Sequence, residues 1–290
     1  MPRTLLNIVD LLPRIKRRLG RWLRPPAPVI GLLHRTAFRP GTLVFQCNIC
    51  SAKCAIPLGE LEREAGHCGA CDSSMRFRSL VHHLSIGLFG ESLAIGDFPP
   101  VSRALSGIGM SDAPRLAAPL ERRLKYRNTF YHQEPRLDIH RPAAEHIGAH
   151  DFVISSDVFE HVDPPVEKAF VNLRRLLKPG GLLVFTVPFA MQGDTIEHFP
   201  GLHQYALEER DGRLVLVNTT ADGRRQEHTN LIFHGGPGST LELRLFSESS
   251  LRRNLEGAGF GRISFHREPC FKWGIYWKTP WSVPITAVAA

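Results

Sequence analysis

The clearest pattern of apolar and polar positions in the chain lies between residues 151 and 187. A short apolar run with β-branched residues, 151–156, is bounded by polar residues and predicts a buried parallel strand. After a loop, apolar residues recur at helical spacing on one face of residues 166–177, and most charged residues lie off that face. The Lys-Pro-Gly-Gly sequence at 178–181 predicts the end of this helix, and the apolar run 182–187 predicts a second strand. The segment therefore predicts a strand, a helix and a strand joined by a right-handed parallel crossover.

The first 40 residues have a different pattern, in which apolar residues fall on one helical face among many basic residues. The apolar positions run from Leu5 to Leu23 and are interrupted by Pro13, so we expect a kink or two short helices. One interpretation is an interfacial membrane anchor formed by residues 1–24, whose basic side chains are drawn to anionic lipid. The alternative is a helix packed on the rest of the protein with its charges in water. The same charges would also suit contact with nucleic acid.

The composition is that of a globular protein and places few limits on function. The chain has 290 residues, of which 43% are hydrophobic and 22% charged, and its net charge is +8. The positive charge permits binding to nucleic acid, acidic glycans or an anionic membrane surface without choosing among them. No apolar run approaches the roughly 20 residues that span a bilayer, and no apolar signal-peptide core is present. We therefore expect a cytoplasmic protein, with peripheral contact at the inner face of the membrane as the alternative.

Four of the six cysteines form two Cys-x-x-Cys pairs, and these predict a zinc-binding module over residues 41–80. Seventeen residues separate the two pairs, a spacing that fits a ribbon or treble-clef-like site. Four thiolates complete the tetrahedral shell of Zn²⁺, so we expect a structural metal rather than a catalytic one. The expected ligands are Cys47, Cys50, Cys68 and Cys71. Cys54 and His67 lie close to the pairs but are not expected to be ligands.

A helix is predicted over residues 76–89, directly after the second cysteine pair. It would join the zinc module to the rest of the chain. Its first turn carries Arg76 and Arg78, for which two interpretations remain open. They would either bind an anionic group near the mouth of an active site or be solvated or paired with the neighbouring domain.

Three short motifs follow one another at a specific spacing in the second half of the chain. They are Ser-Ser-Asp-Val-Phe-Glu-His-Val at 155–162, Leu-Leu-Lys-Pro-Gly-Gly at 176–181 and Thr-Val-Pro-Phe at 186–189. Together they resemble the class I S-adenosylmethionine-dependent methyltransferases, of the methyltransferase type 11-like kind. The resemblance implies an α/β fold with a Rossmann-like doubly wound sheet of seven strands, mostly parallel with an antiparallel last strand. The cysteine pairs are similar to the amino-terminal zinc ribbon of a group of bacterial methyltransferases.

The same resemblance implies that S-adenosylmethionine binds to the half of the domain before residue 151. A first strand at 101–105 would be followed by a turn that contains two glycines. The second strand, at 124–130, lacks the acidic residue that usually holds the ribose, and Asn128 is its expected replacement. Asp138 would face the adenine amino group. The cofactor-binding candidates are Gly107, Gly109, Asn128, Asp138 and Asp157.

The long segment 189–245 corresponds to an insertion that shapes the acceptor site in this family. It contains three histidines that are candidate general bases, because imidazole titrates near neutral pH. They are His198, His203 and His234. Glu160 and His161 are expected to shape the loop beside the cofactor.

The end of the chain resembles the last helix and the closing strands of the family. Ser247 is a suitable N-cap, and residues 251–260 match the final helix with its Ala-Gly-Phe exit. Residues 262–266 and 274–277 fit the closing antiparallel strands.

These patterns predict an arm over residues 1–40, the zinc module over 41–80 and a methyltransferase domain over 81–290. The resemblance implies methyl transfer from S-adenosylmethionine to an oxygen or nitrogen of a small-molecule, sugar or glycan acceptor. The first alternative is an RNA methyltransferase that binds RNA with its zinc module and basic face, although the chain lacks the Asn/Asp-Pro-Pro-aromatic motif. The second is a non-catalytic binding or scaffold protein, suggested by the incomplete glycine turn and the missing ribose acid.

Overall fold

The computed structural model describes residues 41–234 and 240–290. The arm predicted over residues 1–40, with its membrane contact through 1–24, lies outside the described residues. In the part of the chain that is described, no helix has the length and apolar character needed to cross a bilayer.

The amino-terminal part consists of a β-hairpin, a cysteine-containing turn and one long helix. Strand β1 (Thr42–Gln46) pairs with β2 (Lys53–Pro57) in antiparallel register. Helix α1 (Met75–Phe89) begins after Ser74, whose hydroxyl accepts a hydrogen bond from a backbone N–H of the first turn. It ends at Gly90, whose φ of 74° is the left-handed conformation that glycine adopts without strain. The joining helix expected from the sequence is therefore present.

The middle of the chain supplies the parallel strands of the central sheet and two of its covering helices. These elements are β3 (Ser106–Met110), α2 (Pro114–Glu121), β4 (Lys125–Thr129), β5 (His150–Ser156), α3 (Val166–Leu176) and β6 (Leu177–Thr186). The strand, helix and strand predicted between residues 151 and 187 are confirmed. The Lys-Pro-Gly-Gly sequence lies inside β6, where the register with β5 is irregular.

The segment after β6 forms several short strands before the final helix. These strands are β7 (Phe189–Ala190), β8 (Ile196–Glu197), β9 (Gln204–Arg210), β10 (Arg213–Thr219), β11 (Arg225–His228), β12 (Phe233–His234) and β13 (Thr240–Leu241). β9, β10 and β11 form an antiparallel sheet, and β12 pairs with β13. Both β7 and β8 pair with β14 (Arg244–Ser247), which anchors the segment beside the central sheet.

The chain closes with one helix and two strands. They are α4 (Glu248–Gly257), β15 (Phe260–Phe265) and β16 (Ile285–Ala289). Ser247 caps α4 as predicted, since its hydroxyl accepts a hydrogen bond from the Ser250 N–H at 3.2 Å.

The central sheet within the described residues has six strands in the order β15, β16, β6, β5, β3, β4. β4, β3, β5 and β6 are parallel to one another, and β16 is antiparallel to both of its neighbours. The chain thus has the mainly parallel α/β sheet that the resemblance implies, with an antiparallel last strand. The expected seventh strand is not confirmed, because the chain beyond β4 makes only an isolated bridge between Phe130 and Arg136.

Two predicted strands are wrong. Residues 101–105 lie largely in a 3₁₀ helix, Pro100–Ala104, because two prolines fix its entry and Val101 is 63% exposed instead of facing the sheet. The strand begins at Ser106 instead. Residues 274–277 do not enter the sheet, because Gly274 has a φ of 67° that ends a short 3₁₀ helix.

The two faces of the sheet are covered by different parts of the chain. Val153 of β5 belongs to one hydrophobic cluster, with residues of α3 and α4. Its neighbours Phe152 and Ile154 point to the opposite face and belong to a second cluster, with residues of the hairpin, α1 and α2. The cysteine-containing part and the central sheet therefore share one core.

Candidate functional site at the carboxyl edge of the sheet

The carboxyl ends of β3, β4, β5 and β6 lie at one edge of the sheet, because these strands are parallel. In the sheet, β4 lies on one side of β3, and β5, the next strand along the chain, lies on the other side. The order of the strands therefore reverses direction at β3. Ligands of open α/β sheets bind in the crevice at such a point. We call this region the carboxyl edge; it comprises Met110–Ala113, Thr129–Phe130 and Ser155–Asp157.

The loop after β3 is built around the buried carboxyl group of Asp112. The hydroxyl of Tyr126 donates a hydrogen bond to one oxygen of this group. The Asn128 side chain accepts from the Asp112 N–H at 3.0 Å and donates to its carbonyl oxygen at 2.7 Å. Burial raises the pKa of Asp112 to about 7, although Tyr126 and Arg76 oppose the shift. Asn128, predicted to bind the ribose, therefore ties this loop to β4.

The two glycines expected in the cofactor turn lie inside β3. A side chain at Gly107 would overlap the ring of Phe152, and one at Gly109 would overlap Tyr126 and Asp112. Both glycines allow aromatic side chains to pack closely against the strand. The turn itself is formed by Ser111, whose φ is 58°. The prediction that Gly107 and Gly109 form the cofactor turn is therefore wrong, because both lie within the strand that precedes it.

Asp138, the residue expected to face the adenine amino group, lies in the segment after β4. Its carboxylate accepts a hydrogen bond from the N–H of His140 at 2.9 Å and so closes a local turn.

Asp157 ends β5 at the carboxyl edge in a left-handed conformation, with a φ of 54°. Its backbone N–H donates to the Thr186 carbonyl at 2.8 Å, and the Thr186 hydroxyl donates to its carboxylate at 3.1 Å. Burial opposes its ionisation, but Arg63 and Arg76 together lower its pKa to about 2. Asp157 is thus a buried, ionised carboxylate at neutral pH.

The two arginines that meet Asp157 come from the cysteine-containing part of the chain. Arg63 pairs directly with its carboxylate, and the Arg76 Nε lies 3.4 Å from the second oxygen. Arg76 also donates to the Ser156 hydroxyl at 2.6 Å and pairs with Glu64. Arg76 had a sequence signal, its position at the start of α1. Arg63 had none, because 94 residues separate it from Asp157.

The four cysteines of the two pairs converge on one point. Their sulfur atoms all lie within 4.8 Å of one another, with Cys47 and Cys71 at 3.8 Å and Cys50 and Cys68 at 3.6 Å. Sulfur atoms on a tetrahedral Zn²⁺ are separated by about 3.8 Å, since each Zn–S bond is about 2.3 Å. The donor set therefore fits zinc in both chemistry and size.

The two neighbouring candidates have other contacts. Both ring nitrogens of His67 are within 2.7 Å of an oxygen atom, one from Asp72 and one from the Glu64 backbone. The Cys54 sulfur lies 3.9 Å from the Ala52 carbonyl, outside the group of four.

Arg78 lies buried beside the cysteine cluster and does not reach the carboxyl edge. Its guanidinium donates to four backbone carbonyls, including Ser73 at 2.7 Å and Trp273 at 2.9 Å. A zinc ion with four thiolates carries a net charge of −2, which a buried guanidinium partly compensates. This position favours the second interpretation of Arg78, pairing inside the protein.

A second group of titratable side chains lies beyond Asp157. The carboxyl group of Glu160 is fully buried, and neither oxygen has a hydrogen-bond partner among the described residues. His161 Nε2 and His234 Nδ1 each lie 3.7 Å from Glu160 Oε1. Burial and the charge of Asp157 raise the pKa of Glu160.

The three histidines proposed as bases lie in different surroundings. His234 belongs to the group around Glu160. His198 Nε2 lies 3.1 Å from Glu242. The residues on either side of Glu242 contact the turn that contains Glu160: the Leu241 carbonyl contacts the His161 ring, and the Leu243 N–H donates to the Glu160 carbonyl. His203 is exposed, and its backbone N–H donates to Asn218 at 2.9 Å.

The fold is that of an α/β protein whose mainly parallel sheet has a switch point at the carboxyl edge. Residues 103–264 match the family described as a methyltransferase domain, which covers more than half of the chain. The chain belongs to this methyltransferase-domain family. Among curated protein sequences, none matches it significantly.

Three solved structures are similar to this chain at low identity. One is an S-adenosylmethionine-dependent methyltransferase from Mesorhizobium loti, at 14% identity over 67% of this chain and 94% of that chain, with a TM-score of 0.40. Another is the glycopeptide N-methyltransferase MtfA complexed with sinefungin, at 14% identity over 64% and 87%, with a TM-score of 0.39. The third is the CMeT domain of the citrinin polyketide synthase, at 12% identity over 76% and 54%, with a TM-score of 0.42. At these values no residue role or acceptor is transferred to this chain.

Proposed function

We propose that the protein is an S-adenosylmethionine-dependent methyltransferase acting on an oxygen or nitrogen of a small-molecule, sugar or glycan acceptor. The observation that carries the proposal is the methyltransferase-domain match, which spans the strands that form the carboxyl edge. Buried side-chain oxygens without a hydrogen-bond partner among the described residues support a ligand there; they are Asp112 Oδ1, Ser155 Oγ and Asp157 Oδ2, of which the last is in ionic contact with Arg76.

The residues of the carboxyl edge fit the charges of this cofactor. Asp157, held ionised by two arginines, suits the cationic amino or sulfonium group, and Arg76 suits the carboxylate of the methionine part. When bound, the cofactor supplies a methyl group activated by its sulfonium. The protein would align the acceptor atom behind this methyl carbon, so that the methyl group could pass to the acceptor while the electron pair of the broken carbon–sulfur bond stays on sulfur.

His198 is the proton acceptor that this geometry favours for a hydroxyl acceptor. Glu242 lies 3.1 Å from its Nε2 and orients the ring. His203 is less suited, because it is exposed directly before β9 and has no orienting carboxylate among the described residues.

We also propose that the four cysteines hold a structural zinc ion, in a module of residues 41–80 attached to a methyltransferase domain of residues 81–290. Its support is the convergence of four thiol groups beside the buried Arg78. The module brings Arg63 and Arg76 to the edge, so the metal would stabilise the cofactor site indirectly.

Two observations favour the non-catalytic alternative. The glycine turn is replaced by Ser111 and the buried Asp112, and both arginines already pair with Asp157. In that case the edge would bind no cofactor. The RNA alternative rests on the net charge of +8 and the cysteine module alone.

Calorimetric titration of the zinc-loaded protein with S-adenosylmethionine and S-adenosylhomocysteine tests the proposal. We expect micromolar binding, about −8 kcal/mol, that is weakened at least tenfold by Asp157→Asn. Asp151→Asn is the matched control, because Asp151 lies near the opposite end of β5, where it pairs with Lys178. If the folded protein binds neither compound, the non-catalytic alternative replaces the proposal.

A further inference from the structure

Glu160, His161 and His234 form a group of potential metal ligands that is separate from the cysteines. Glu160 and His161 lie in the 3₁₀ turn Phe159–His161 after β5, and His234 ends β12. One ligand atom from each residue lies within 4.8 Å of those of the other two. The loop and the strand come from distant parts of the sequence, and the fold brings them together.

The surroundings of Glu160 suit a bound cation. Its side chain is completely buried, and both of its oxygens lack a hydrogen-bond partner in the described ranges. A buried carboxyl group without partners is costly, and such groups are normally paired or coordinate metals. The nearby Arg244 does not fill this role, because its guanidinium binds Glu197 and the carbonyls of Phe159 and Val162.

The ring of His161 is oriented as a metal ligand would be. Its Nδ1 lies 2.8 Å from the Leu241 carbonyl, which can only accept a hydrogen bond, so Nδ1 carries the proton. The lone pair is then on Nε2, the atom that lies 3.7 Å from Glu160 Oε1. Histidines that bind metals commonly donate their other ring N–H to a carbonyl or carboxylate in this way.

We propose that Glu160, His161 and His234 bind a divalent metal ion. Ligand atoms about 2.1 Å from one ion lie about 3.0–3.4 Å apart, so the observed 3.7 Å requires only a small contraction. Two imidazoles and one carboxylate suit Mn²⁺, Fe²⁺, Co²⁺ or Zn²⁺ better than Ca²⁺. Three protein ligands leave positions open for water or for an oxygen of another molecule.

The position of the ion suggests what it would bind. Glu160 follows Asp157 of the carboxyl edge by three residues, and its backbone carbonyl accepts from the Leu243 N–H at 2.8 Å. The His198–Glu242 pair is adjacent to the same strand segment. A hydroxyl group of the acceptor on the ion would be acidified there, next to a base. This role rests on the proposed function; the metal site itself does not.

Binding of Mn²⁺ to the whole chain loaded with a single equivalent of Zn²⁺, which the four thiolates bind in preference, tests the site by electron paramagnetic resonance. Mn²⁺ is the probe because carboxylate and imidazole bind it, whereas the thiolates are occupied by zinc. We expect one Mn²⁺ per chain, and at least tenfold weaker binding in Glu160→Gln and in His161→Ala. The matched controls are His203→Ala and Glu209→Gln, both at exposed positions of the same insertion, which should bind as the wild type does.

The result separates this inference from the proposed function, because no cofactor is present in the titration. Glu160→Gln is close to isosteric, and its thermal unfolding shows whether the variant is folded. Absence of Mn²⁺ binding up to millimolar concentration would overturn the site. Equal affinity in the wild type and the two ligand variants would overturn it as well.

Discussion

At the scale of single residues, three buried carboxyl groups at or beside the carboxyl edge are stabilised in different ways. Asp157 is paired with Arg63 and Arg76, and Asp112 accepts a hydrogen bond from the Tyr126 hydroxyl. Glu160 has no hydrogen-bond partner among the described residues, and the rings of His161 and His234 lie 3.7 Å from one of its oxygens. Burial alone favours the neutral form of each group, so the partner decides which group is ionised.

Asp112 should make stability depend on pH. Its pKa is about 7 in the folded protein and about 3.8 in an unfolded chain, so the folded state binds more protons between these values. Its stabilising contribution is therefore present below pH 3.8 and lost as pH rises through 7. Asp112→Asn is neutral throughout, and between pH 5 and pH 7 it should lose less stability than the wild type, by about 2 kcal/mol. Urea unfolding at both pH values measures this; parallel behaviour of the two proteins would contradict it.

At the scale of elements, the cysteine module acts as part of the site although it lies outside the match to the methyltransferase domain. Arg63 and Arg76 reach Asp157 and Ser156, and Arg115 of α2 pairs with Asp72 of the second cysteine turn. The core of the module is continuous with one face of the central sheet. Loss of the proposed zinc ion should therefore lower the stability of the protein and disturb the carboxyl edge.

Cys68→Ser tests this dependence. We expect the variant to bind no zinc, where the wild type binds one ion per chain. It should also unfold at a temperature roughly 10 °C lower than the wild type and bind S-adenosylmethionine more weakly. Cys270→Ser is the matched control, because Cys270 is half-buried and lies outside the group of four. Zinc analysis and thermal unfolding of both variants provide the measurement. Retention of zinc by Cys68→Ser would show that the metal is held differently.

The sequence predicted elements whose signal is local. Helix α3 and strand β5 follow from the spacing of their own apolar residues, and the cysteine pairs from their own spacing. The role of Gly107 could not be predicted in this way, because its neighbour Phe152 lies on another strand. A glycine pair that resembles a cofactor turn in the sequence proved to be a packing feature of β3.

At the scale of the whole molecule, the site is assembled from four distant segments. The cysteine module, the end of β5, the loop after β3 and the strand pair β12–β13 meet at one edge of the sheet. Arg63 and His234 had partners that only the tertiary structure identifies. Resemblance located Asp157, since its motif is continuous along the chain. It singled out Arg76 without its partner and gave no sign of Arg63, although both arginines hold Asp157 ionised.

Photolabelling with radioactive S-adenosylmethionine tests the central claim most directly, because it reports both binding and location. The zinc-loaded protein is irradiated with ultraviolet light, digested and mapped, with and without excess S-adenosylhomocysteine. We predict label on peptides of the carboxyl edge, around Ser111, Phe130 and Asp157, that S-adenosylhomocysteine prevents. Label that S-adenosylhomocysteine does not prevent, or label confined to other parts of the folded protein, would contradict a methyltransferase with its cofactor at this edge.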